Sequence, residues 1–212
     1  MNRKVLSAII FLFMFMFLVM FAVVGEQVGA TSLAGGELKA EASIRLEGQR
    51  VLAEKNVSFS YQDLVFYGQS FSYDTSSEEL RISDELRIES GDYLLSGELL
   101  EGDLNREVIE VFGGVVLEGP EVRATGNSII FQGAEGQLTL REEVEFTYQD
   151  LVARATTLVY DFELQTVLLQ EDVSGRHDGQ QFSAAEAEIN LQQGTIELQG
   201  EASIKFEGSE AD

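Results

Sequence analysis

Cysteine and tryptophan are absent from the 212 residues, and proline and histidine occur once each, as Pro120 and His177. Without cysteine there is neither a disulfide framework nor a thiolate metal site. A single histidine excludes a multi-histidine metal centre. Basic side chains are scarce: 14 Lys+Arg stand against 37 Asp+Glu, a formal net charge of −23. So acidic a body repels nucleic acid and anionic bilayer surfaces, and nucleic acid is not an expected partner. Beyond residue 24 no apolar run is long enough for a membrane-spanning helix. What the chain does contain is 20 glycines and 44% hydrophobic residues, the composition of a folded, turn-rich protein.

The N-terminus reads Met1-Asn2-Arg3-Lys4, followed by residues 5–24 without a charge. A helix of that length spans a bilayer core of about 30 Å. The basic residues precede it, which predicts a cytoplasmic N-terminus and an exported body. Val28-Gly29-Ala30 fits a signal-peptidase site, whereas the apolar run is longer than a usual signal core. A cleaved signal and a retained inner-membrane anchor both remain open. The expected organisation is a leader over 1–30, a linker over 31–40, a folded domain over 41–208 and a tail over 209–212.

The folded part is repetitive. Val57–Asp74 (VSFSYQDLVFYGQSFSYD) and Val144–Asp161 (VEFTYQDLVARATTLVYD) share nine of eighteen positions at an offset of 87, three times 29. The shorter period appears in four rows. Val51, Leu80, Ile109, Leu138, Val167 and Ile196 form the first, and Ala53, Ile82, Val111, Leu140, Leu169 and Leu198 the second. The third is Val57, Leu86, Val115, Val144, Val173 and Ala202; the fourth is Phe59, Ile88, Leu117, Phe146, Gly175 and Ile204. Small residues follow the same period: Gly68, Gly97, Gly126, Ala155, Ala184. About six units of 29 residues make this a repeat architecture.

Within a unit the apolar positions share one parity, so they face one side of an extended strand. Helical spacings of three and four are missing. The row is interrupted at Lys55, Asp84, Gly113, Glu142, Glu171 and Gly200, which predicts a corner where the strand bends. Turn signals follow at Gln62-Asp63, Gly91-Asp92, Gly119-Pro120-Glu121, Gln149-Asp150 and Asp178-Gly179. A second set spans Asp74–Glu79, Asp103–Arg106, Gln132–Gly136 and Asn190–Gly194. Between them runs a return strand such as Leu151–Tyr160. The prediction is an all-β protein of about a dozen short strands behind one N-terminal hydrophobic helix. Charged residues of the other parity, such as Arg141, Glu143 and Glu145, solvate the outer face.

Periodicity leaves the apolar face with two readings. It is either the filled core of a structural β-solenoid or the wall of a groove that takes hydrocarbon. A membrane barrel is disfavoured, because the corner breaks the lipid-facing band in every unit.

The unit Leu138-x-Leu140-x-x-x-Val144-x-Phe146, followed by Ala153-x-Ala155-x-x-x-x-Tyr160-Asp161, resembles the repeat of the LptA/OstA family of periplasmic lipopolysaccharide-transport proteins. Ile109-x-Val111-x-Gly113-x-Val115-x-Leu117 and Ile196-x-Leu198-x-Gly200 carry the same pattern. The resemblance covers about Glu41 to Gly208. It implies a bent, taco-like β-jellyroll, with glycolipid acyl chains between its walls. LptC is the membrane-tethered relative, although its motif carries a tryptophan that this chain lacks. The large side chains of the four rows, from Val51 to Leu198, are then the candidate groove lining. Units of the family join through terminal strands. Here those are near Ala42, Ile44 and Leu46 at one end and Ala202, Ile204 and Phe206 at the other. The implied partners are lipopolysaccharide or a related glycolipid, other jellyroll transport proteins, and the inner membrane through residues 5–24.

Neither a cofactor nor a metal is expected, and catalysis is not. His177 falls in the turn signal Gly175–Gly179. Tyr61 and Tyr148 read as aromatics at the edge of a wall. Residues 133–136 read as a hairpin turn rather than a phosphate-binding loop.

Overall fold

Alternating apolar and polar residues form strands wherever one face can be buried, and the chain does so throughout. The computed structural model describes residues 36–61 and 63–206. The leader and the C-terminal tail lie outside the described residues. Among the described residues every regular element is a strand, and no helix is long and apolar enough to cross a membrane. The strands are β1 (Glu37–Lys39), β2 (Ser43–Glu47), β3 (Arg50–Tyr61), β4 (Leu64–Asp74), β5 (Glu79–Ser90), β6 (Tyr93–Asp103) and β7 (Val108–Glu118). They continue as β8 (Val122–Gln132), β9 (Gln137–Tyr148), β10 (Leu151–Asp161), β11 (Thr166–His177), β12 (Gln180–Asn190), β13 (Thr195–Gln199) and β14 (Ser203–Phe206). β1 lies within the stretch expected as linker. The central strands, at 11 or 12 residues, are longer than the short strands expected.

All pairings are antiparallel, and β3 to β12 follow one another in sequence order in a single unclosed sheet. β1 and β2 lie end to end along β3, and β13 and β14 along β12. Each end of the sheet is therefore one strand broken in two.

Every central odd-numbered strand bends at the predicted corner, and the bend takes two residues rather than one. Lys55-Asn56, Asp84-Glu85, Gly113-Gly114, Glu142-Glu143 and Glu171-Asp172 all have left-handed φ, between 46° and 84°. The register shows why. Glu54 stands opposite Ser70 and Val57 opposite Gly68, three steps on β3 against two on β4. The extra residue is a β-bulge, which turns the strand sharply. The same slip recurs at Ser83/Leu86, Phe112/Val115 and Gln170/Val173. With all the bulges aligned, the sheet folds over on itself as two arms. Phe59 and Phe71 come from opposite sides of the bend, yet their ring centroids are 5.5 Å apart.

The arms end in two rows of turns. One row is short: Gly91-Asp92, Gly119–Glu121, Gln149-Asp150 and Asp178-Gly179. The other has four residues per turn, with a left-handed last residue: Glu78, Glu107, Gly136, Gln165 and Gly194. Each turn of this second row follows a polar residue that caps it where its side chain reaches the backbone. The Ser76 and Ser77 amides donate to Asp74 Oδ1 at 2.9 and 3.3 Å. Arg106 and Leu164 amides donate likewise to Asp103 and Asp161, and Gln192 and Gln193 to Asn190. The turn after Asp161 lacked the glycine signal, and the aspartate supplies it.

Candidate functional site

The inward faces of the two arms make one apolar interior. Of the predicted lining, Val57, Phe59, Leu80, Ile82, Leu86, Ile88, Val111, Val115, Leu117, Leu138, Leu140, Val144, Phe146, Val167, Leu169 and Val173 are buried. Val51, Ile109, Ile196 and Leu198 are half-buried and pack against them. Apart from the tyrosines Tyr73, Tyr93 and Tyr160, Thr139 is the one buried polar side chain among the described residues. Sequence reasoning missed half of the wall, namely the even-numbered strands: Phe66, Phe71, Tyr73, Leu100, Ile129, Phe131, Leu158 and Ile189 are buried there. The signal was present, since Phe71, Leu100, Ile129, Leu158 and Ala187 are also spaced by 29.

The interior is closely filled. A cavity of about 50 Å³ lies between the arms, lined by Leu117, Phe146 and Tyr148 from one side and Leu138, Leu158 and Tyr160 from the other. That is room for a water or two, whereas pockets that enclose small molecules run to about 300–1,000 Å³. Tyr93 also lines it, and burial raises the pKa of Tyr93 and of Tyr148. Tyr160 is pushed up to about 12, mainly by burial, with the charges of Asp161, Tyr148 and Tyr93 adding. Tyr148 is thus an aromatic of the wall; Tyr160 was named only as part of the repeat motif, and Tyr93 not at all.

The end strands are open. Ile44 is 48% and Leu46 78% exposed on β2, Ile204 50% and Phe206 73% on β14, and Ala42 and Ala202 are exposed beside them. Among the described residues β2 bonds only to β3 and β14 only to β12, so one edge of each lacks a partner strand there. The outer faces are polar, with exposed cross-strand pairs such as Arg45–Glu54 at 2.6 Å and Arg154–Glu145 at 2.8 Å. Exposed pairs of this kind add little stability.

His177 ends β11 rather than lying in a loop, and is half-buried. Its Nδ1 is 3.5 Å from Asp150 Oδ2, and its Nε2 is 3.7 Å from Asp178 Oδ2. The three side chains could hold a cation between the tips of two turns.

Neither a protein-family model nor a curated protein matches the chain. Among solved structures, the fold is similar to that of LptH from Pseudomonas aeruginosa, the LptA-homologous periplasmic component of the conserved lipopolysaccharide transport device. The TM-score is 0.51 at 13% sequence identity, over 55% of this chain and 95% of that one. Nearly the whole of LptH is matched, and close to half of this chain lies beyond the match. What the two share is an LptA-type β-fold, here a bent, unclosed antiparallel sheet extended by further strands.

Proposed function

We propose that the chain is a non-enzymatic lipid bridge, carrying lipopolysaccharide-type glycolipid across the periplasm toward the outer membrane. The observation that carries this reading is the apolar interior, which runs the length of the sheet and ends at two edge strands with exposed Ile44, Leu46, Ile204 and Phe206. Acyl chains would lie between the arms, gaining by leaving water. A jellyroll neighbour would add its own strand at either edge. The likeness to LptH supports the reading at the level of fold. Residues 5–24 would hold the body at the inner membrane, or be removed on export. An acidic body repels phosphate, so the sugar-phosphate part of the ligand stays outside or carries divalent cations.

The test is native mass spectrometry of the full chain taken from its own envelope, paired with binding of a fluorescent acyl probe. Co-purifying glycolipid, and probe displaced by it, is the expected result. A lipid-free chain that takes up no probe overturns the reading.

The small cavity favours a second reading, a rigid scaffold of the envelope. Removing one unit, residues 109–137, separates the two. A scaffold loses only length and stays folded; a lipid bridge loses its register with its neighbour and its transport.

A further inference from the structure

Two phenol hydroxyls inside this apolar interior have nothing to bond to. Tyr93 opens β6 beside the short-turn row, and Tyr160 lies on β10 beside the four-residue row, so they come from opposite arms. Tyr93 is 6% and Tyr160 5% exposed, and each hydroxyl oxygen is buried without a hydrogen-bond partner. Both line the cavity described above between the arms, which Tyr148 also lines. Buried polar groups in native proteins are overwhelmingly satisfied, so a pair left open at a cavity marks the place of an absent partner.

The chemistry of that partner follows from the donors. A phenol is protonated at neutral pH, and burial only raises its pKa further, so each offers one O–H. A carbonyl oxygen has two lone pairs and can accept from both. The rest of the wall, Leu117, Leu138 and Leu158, is hydrocarbon and suits an alkyl chain. An acceptor with a chain attached describes the junction of an acyl group.

We propose that Tyr93 and Tyr160 together receive the carbonyl oxygen of an acyl ester or amide, with the first carbons of its chain against Leu117, Leu138 and Leu158. This rests on the acyl-binding reading above and adds a fixed point to it. A chain needs more than the present cavity, so the arms separate around β6 to β10 as it enters.

The experiment compares two probes on the purified full chain: monododecanoylglycerol, which has an ester carbonyl, and the dodecyl ether of glycerol, which does not. With tryptophan absent, tyrosine emission reports binding directly. The wild type should bind the ester about tenfold more tightly than the ether, the scale of one or two hydrogen bonds. The Tyr93→Phe/Tyr160→Phe double variant keeps both rings. It should bind the two probes alike, with the ether affinity unchanged and the urea midpoint no lower than wild type. If the wild type binds ester and ether equally, the acyl-binding reading stands and the tyrosine proposal falls, a bridging water being then the only occupant. If it binds neither, both fall.

Discussion

A methyl group placed on Gly97 would lie 2.6 Å from Cγ1 of Val111 on the next strand, and 3.0 Å from the Phe112 carbonyl oxygen. Gly68 stands in the same relation to Ile82, again at 2.6 Å, whereas at Gly126 the nearest side-chain atom, of Leu140, is 3.0 Å away. The next two small positions, Ala155 and Ala184, do carry a methyl group, and their counterparts of Val111 are Leu169 and Leu198. Branching at Cβ of the facing residue, added to the nearby backbone carbonyl, therefore tightens the inside of the bend most at Gly68 and Gly97. Gly97→Ala should destabilise by about 1–3 kcal/mol, the usual cost of overpacking. Val111→Leu should recover part of that loss, giving a non-additive double-mutant cycle in urea unfolding.

The paired left-handed residues carry a second cost. Glu142 and Glu143 have φ of 61° and 54°, where Gly113 and Gly114 occupy the equivalent places. A left-handed conformation costs a residue with Cβ about 1–2 kcal/mol, partly offset by the greater unfolded freedom of glycine. Glu142→Gly should raise stability by about 0.5–1 kcal/mol, seen as a higher urea midpoint at unchanged slope.

Alkali should unfold the protein through its tyrosines. Tyr160 and Tyr73 are both raised to about 12 by burial first and neighbouring carboxylates second. Below pH 10 the phenols are protonated folded and unfolded, and their contribution is whole. From pH 10 to 12 only the unfolded chain releases the protons, so stability falls as pH rises. Tyrosinate absorbance should lag in the folded protein and then appear together with loss of β-sheet circular dichroism. Tyr160→Phe should move that loss to higher pH.

The open ends predict association. Leu46 and Phe206 are the most exposed large apolar side chains of the edge strands. Wild type should form concentration-dependent species in sedimentation velocity. Leu46→Lys with Phe206→Lys should leave a monomer of unchanged circular dichroism, because charge on an edge blocks strand addition.

The bent all-β form was legible because the corner positions recur at Lys55, Asp84, Gly113, Glu142 and Glu171 with the apolar row on both sides in phase. The even-numbered strands were expected as return strands, such as Leu151–Tyr160, but their inward faces were not legible, for a geometric reason. Opposite each bulge they have one residue fewer, so their inward set runs Leu64, Phe66, Gly68 and then Phe71, Tyr73. A simple alternation test loses phase at that step. EASIRLEG (41–48) resembles EASIKFEG (201–208) at an offset of 160, which is not a multiple of 29. The structure accounts for it. Both belong to end strands broken at one place, between Lys39 and Ser43 and between Gln199 and Ser203. They are separated by five and a half periods because the first stands one strand ahead of the first unit. The tyrosine pair escaped notice because nothing in the spacing of Tyr93 and Tyr160 says that two arms will close over them.

Pairing in strict sequence order has a kinetic consequence. From β2 to β13 every hydrogen-bonded ladder joins strands that follow one another, so closing each hairpin needs only a short loop. Assembly can then proceed by zipping, each finished hairpin serving as a template for the next strand. The energetic hurdle lies in the first bends, and sheet growth thereafter runs downhill from whichever hairpin folds first.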